Sequence, residues 1–163
     1  DARGADGARA RTPLMPVPEV TERLPVAPVP SLASVALPAS PPPDPTEQYK
    51  RALDLVRQRE FPQALRVLDD FMQQFANDPR VARAMFWRGE LLFAQRDYAA
   101  ALGAYEASLS KEPRGEKAPD SLLKIGLCHR HLGASQRARE AMRQLRKQFP
   151  ESAAARLLGE EDA

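Results

Sequence analysis

The sequence predicts an all-α fold: a right-handed α-solenoid of three helix–turn–helix repeats with a 37-residue period, closed by a short C-terminal capping helix. Three observations carry this. Small residues recur at one fixed interval, with Ala52, Gly89 and Gly126 each 37 residues apart, and Ala64, Ala101 and Ala138 likewise. Apolar residues between them fall at spacings of three and four, the signature of one helical face. No segment shows the apolar–polar alternation of a strand. A fixed period of roughly 20–50 residues marks stacked units, because one such unit cannot bury its own apolar face. Such a stack points to a scaffold or binding module and away from an enzyme.

The elements follow in order. Residues 1–45 hold 11 of the 16 prolines and no aromatic residue. So few large apolar groups cannot offset the ordering entropy, and the stretch reads as a disordered, polyproline-like linker. Asp44-Pro45 supplies a capping acid and a proline at the first helical position. Tyr49, Ala52, Leu53 and Val56 then share one face. Arg59-Glu60 breaks the helix, and a second one starts near Phe61, apolar at Ala64, Leu65, Leu68, Phe71, Met72 and Phe75. Asn77-Asp78-Pro79 ends that pair.

The second unit repeats the pattern with Met85, Phe86, Gly89, Leu92 and Phe93. It turns at Arg96-Asp97, returns with Tyr98, Ala101, Leu102, Tyr105 and Leu109, and stops at Pro113. The third runs from Pro119 through Leu122, Leu123, Ile125, Gly126 and Leu127 to a turn at Gly133. Ala138, Met142, Leu145 and Phe149 follow, up to Pro150. A last helix over about Ser152 to Leu158 covers the end of the stack. The units are thus 46–81, 82–118 and 119–158 of a domain at 46–160, followed by an acidic tail at 161–163. Gly inside a helix costs about 1 kcal/mol relative to Ala. Gly89 and Gly126 are therefore expected where two helices approach closely, with Leu68, Tyr105 and Met142 filling the space beside the small residues.

Charge narrows the partners. The chain carries +2, and the first 45 residues carry four Arg against five acids, which leaves +3 for the rest. That is too little for a nucleic-acid-binding domain with no recognisable motif. Residues 119–158 nonetheless hold eight basic residues against three acidic ones, a solvated helix face or a surface for an acidic partner. Cys128 is the only cysteine, so no intramolecular disulfide forms. No apolar run reaches the roughly 18 residues of a membrane span. The chain starts at Asp1 without Met or a signal-like apolar stretch, and reads as a processed form or a fragment.

The order small, bulky, small, bulky, then Pro on helix–turn–helix units resembles the tetratricopeptide repeat (TPR), whose usual length is 34 residues; the longer period is expected in the linkers. The segments FWRGELLFAQRDYAAAL (Phe86 to Leu102), KAPDSLLKIG (Lys117 to Gly126) and QFPES (Gln148 to Ser152) are similar to the TPR domain of the YbgF/CpoB family of periplasmic Tol-Pal proteins. Arg88 stands where that family prefers Leu, and Ala76 replaces the first boundary Pro. The resemblance implies a periplasmic, non-enzymatic division coordinator without cofactor. Its partners would be TolA and peptidoglycan-synthesis proteins. It also implies a homo-oligomer through a coiled coil ahead of the repeats, with the proline-rich stretch as linker. TPR lipoproteins of outer-membrane protein assembly or of pilus and secretin biogenesis share much of the pattern, and a cytoplasmic TPR adaptor is the third reading.

In such a stack the first helix of each pair lines the inner side. The register places there Tyr49, Leu53, Val56 and Arg57, then Arg83, Phe86, Glu90 and Phe93, then Asp120, Leu123, Leu127, Arg130 and His131. An apolar, aromatic centre edged with Arg suits an extended or helical peptide; the plainer alternative is that Phe86, Leu123 and Leu127 pack the core or the cap. Trp87 is read as packing between repeats. Catalytic readings are weak. His129 and His131 lie about 200° apart around a helix and cannot chelate one metal. Asp69-Asp70 is a surface pair, the serines have no evident base, and Cys128 reads as a buried, inert thiol.

Overall fold

The computed structural model of the chain describes residues 44–158. The linker expected at 1–45, apart from its last two residues, and the acidic tail at 161–163 lie outside them. Among the described residues seven helices follow one another: α1 (Pro45–Arg57), α2 (Phe61–Gln74), α3 (Val81–Ala94), α4 (Tyr98–Lys111), α5 (Ala118–His131), α6 (Ser135–Gln148) and α7 (Ala153–Arg156). The described residues contain no strand. Each helix packs on the next, and α7 lies against both α5 and α6. The result is the expected all-α solenoid of three hairpins with a cap.

Local chemistry sets the boundaries. Asp44 accepts the Thr46 N–H at 2.7 Å, which caps α1 and places Pro45 where its missing N–H costs nothing. Asp97 caps α4 through the Ala100 N–H, and Ser152 caps α7 through the Ala155 N–H. Each hairpin turns by the same device. The N–H groups of Glu60, Asp97 and Ala134 donate to the carbonyls of Leu55, Leu92 and His129, and those of Arg59, Arg96 and Gly133 donate to Val56, Phe93 and Arg130. This pairing satisfies orphan carbonyls at a helix end and holds one residue per turn left-handed. The final helix is one short turn, narrower than the span expected from Ser152 to Leu158.

Packing falls into three apolar clusters. The first joins repeat one to α3 through Ala52, Ala64, Leu68, Phe71, Val81 and Leu91, with Trp87 half-buried against it. The second joins repeats two and three through Phe86, Leu92, Tyr105, Ile125 and Cys128. The third sets the cap on the last repeat through Leu122, Leu145, Ala154 and Ala155. Side chains such as Leu68 and Phe71, fully buried, each stabilise the fold by about 1.5–3 kcal/mol. The small residues sit where close approach demands them. A Cβ on Gly89 would lie 2.6 Å from the Tyr105 ring, and one on Gly126 would fall on the Met142 methyl.

Candidate functional site

The predicted inner face starts on α1. Tyr49 is half-buried, its ring 5.5 Å from Phe71. Burial pushes its phenol up, while the Arg83 charge and a hydrogen bond with Trp87 act the other way. Leu53 is half-buried and Arg57 exposed, with the guanidinium on Asp54 at 2.7 Å. On α3, Arg83 is exposed and reaches Glu116 at 2.8 Å, ahead of α5.

One of the expected anchors is placed differently. Phe86 is only 6% exposed and belongs to the second cluster. Its ring lies 5.6 Å from Tyr105, and the Lys117 ammonium sits 5.2 Å over it. It is core, because the repeat junction needs a large group beside Gly89. Leu123 is half-buried and packs against the third cluster.

The remaining positions of α3 and α5 come together. Glu90 accepts the Tyr105 hydroxyl at 2.6 Å and the Lys124 ammonium at 2.8 Å. One carboxylate thus ties α3 to both α4 and α5. Lys124 also stands 4.9 Å over the Phe93 ring. Phe93 meets Tyr98 and His131 edge-on at 5.2 and 5.6 Å. Exposed His131 stacks flat on Tyr98 at 4.1 Å. Leu127 is half-buried and Arg130 exposed, while Asp120 lies 3.6 Å from Lys117. Burial and the Glu90 contact push the Tyr105 phenol far above its usual range.

Sequence reasoning missed Lys124, Lys117 and Tyr98. A signal existed for Lys124: it precedes Leu127, the counterpart of Glu90, by one helical turn on the neighbouring helix. Trp87 packs at the first repeat junction, edge-on to Phe86 at 6.1 Å. Arg88, the departure from the family pattern, donates to Asp69 at 2.8 Å and so ties α3 to α2. Cys128 is buried, and desolvation pushes its thiol up to about 11, which keeps it protonated and unreactive at neutral pH. Among the described residues no three His, Cys, Asp or Glu side chains gather into a metal-binding group, and no helix is long and apolar enough to cross a membrane. The arrangement leaves the half-buried rings of Phe93 and Tyr98 beside the Glu90–Lys124 ion pair.

Solved structures with the same fold are helical-repeat proteins. MamA from Desulfovibrio magneticus RS-1 is 22% identical over 67% of this chain and 58% of its own, with a TM-score of 0.57. PcrH in complex with the chaperone-binding region of PopB is 16% identical over 72% of this chain and 90% of its own, TM-score 0.59. The first TPR domain of Spaghetti (RPAP3), bound to an HSP90 peptide, is 12% identical over 69% and 84%, TM-score 0.58. The chain therefore spans somewhat more than half the length of MamA. No curated protein matches it. The fold defines a helical-repeat scaffold of the kind that in general mediates protein–protein interaction. Tetratricopeptide-repeat family models match residues 49–119 and 120–152, and the chain belongs to the tetratricopeptide-repeat family.

Proposed function

We propose that this chain is a non-enzymatic protein-interaction scaffold of the bacterial cell envelope. In this reading it works in the periplasm, docks Tol-Pal components, TolA foremost, and so couples outer-membrane constriction to peptidoglycan synthesis. The observation that carries the scaffold reading is the apolar stripe left half-exposed on the first helices. Tyr49, Leu53, Phe93, Leu123 and Leu127 keep open surface although the core has taken Phe86. Aromatic and aliphatic groups of this kind anchor a partner helix or extended peptide. The envelope reading rests on the likeness of residues 86–102, 117–126 and 148–152 to the Tol-Pal family.

The test is a pull-down from proteobacterial envelope extract with the full chain as bait and a Leu53→Glu/Leu127→Glu variant as control. Both positions are half-exposed, so the variant should keep its helical circular dichroism. Tol-Pal proteins recovered by the native bait alone are the expected result. Recovery of outer-membrane assembly or pilus proteins would replace this reading with the lipoprotein one. Equal recovery by bait and variant would exclude the inner face.

A further inference from the structure

The second helices carry a site that the inner face does not use. Between α4 and α6 an open notch of about 350 Å³ has an apolar floor of Leu109, Pro113 and Leu122. Its α4 lip carries Glu106 and Ser110, and its α6 lip Gln144 and Gln148. A space of that size takes one large side chain with its flanking backbone.

The repeat register supplies an internal comparison. One period earlier, Met72, Ala76 and Met85 stand in place of Leu109, Pro113 and Leu122, and Lys111 in place of Gln148. There Lys111 reaches across, and its ammonium donates to the Ala76 carbonyl at 3.1 Å. Gln148 makes no such bond to Pro113, and the second notch stays open.

Charge indicates what it receives. α6 carries Arg137, Arg139, Arg143, Arg146 and Lys147 against a single Glu140. A second depression on α6, of about 420 Å³, is lined by Glu140, Arg143 and Lys147 and shares Gln144 and Gln148 with the notch. Apolar floor and cations therefore lie on either side of the same pair of glutamines. Arg143 is paired with Glu140; Lys147 is exposed and has no ion pair among the described residues. Glu106 on the far lip turns acidic groups toward α6.

We propose that this notch binds a short acidic segment of a partner protein, with one aromatic or aliphatic side chain seated on Leu109, Pro113 and Leu122 and its neighbouring carboxylates on Arg143 and Lys147. The site is separate from the inner face, so the chain can hold two partners at once. An anionic bilayer is the poorer fit, since a flat surface would meet Glu106 and leave the notch empty.

The test is fluorescence anisotropy of the full chain with two labelled peptides of Glu and Asp residues, one with Phe at its centre and the other with Ala. The Phe peptide is expected to bind about tenfold tighter. Arg143→Gln/Lys147→Gln should weaken both peptides about fivefold or more. Gln148→Lys separates the two contributions. It adds a positive charge, so electrostatics alone would tighten both peptides. An ammonium drawn across onto the Pro113 carbonyl, the bond Lys111 makes to Ala76, would instead obstruct the notch and erase the advantage of Phe over Ala. Equal binding of the two native complexes, a Phe advantage that survives in Gln148→Lys, or binding to phosphatidylglycerol vesicles but to neither peptide would each overturn the proposal. All three substituted positions lie on the surface, and unchanged helical circular dichroism verifies the fold of both variants.

Discussion

Arg59, Arg96 and Gly133 turn the three hairpins with φ of 62°, 64° and 76°. Only the third is a residue without steric cost there. A side chain in the left-handed region costs roughly 1–2 kcal/mol, partly offset by the larger entropy glycine loses on folding. Arg96→Gly is therefore expected to stabilise the protein by about 0.5–1 kcal/mol, seen as a higher urea midpoint. The interior glycines behave in the opposite sense. Gly89→Ala drives a methyl group into the Tyr105 ring, which the Glu90 hydrogen bond holds in place. A loss of about 1–3 kcal/mol follows. Gly126→Ala meets the end of Met142, a flexible side chain that can give way, so its loss in the same urea titration should be the smaller of the two.

The elements show where a 37-residue repeat differs from a 34-residue one. Each hairpin turn takes three residues, while the connections from α2 to α3 and from α4 to α5 take six each. The first of these is held by Asp78, which accepts the Arg80 backbone N–H at 2.9 Å and both arms of its guanidinium at 2.8 Å. Those bonds hold the Asp78 carboxyl below its ordinary value of 3.8. A lowered carboxylate pKa contributes stability that is complete above the ordinary value and is lost as pH falls through the folded one. Asp78→Asn should thus cost about 1 kcal/mol at neutral pH. In urea titrations the gap to the native protein should close in strong acid. Helix order, turns and register were legible in the sequence because small residues and caps announce them locally. The candidate site was legible only as a register. Which inner positions stay open depends on the size of neighbours across a junction, and that is why Phe86 sank beside Gly89.

At the scale of the whole molecule the core of the described residues is three clusters in a row, each resting on its neighbours. In a linear stack stability is a sum over units and junctions, so the ends open first. The two ends are finished differently. α7 covers part of the last repeat, and Arg139 and Arg146 stand on α6 where Leu65 and Leu102, and Met72 and Leu109, serve the inner junctions. At the other end Gln48 and Arg51 line an open trough beside α2, with no covering helix among the described residues.

Trp87 is the chain's single indole, and it packs on the first cluster from α3, edge-on to Phe86 of the second. The protein therefore carries its own optical reporter, seated at the first repeat junction. Tryptophan emission should shift at lower urea than far-ultraviolet ellipticity, which averages over all the helices. The interval between the two curves measures how loosely the first repeat is coupled to the rest, and coincident curves would mean that the three clusters melt as one.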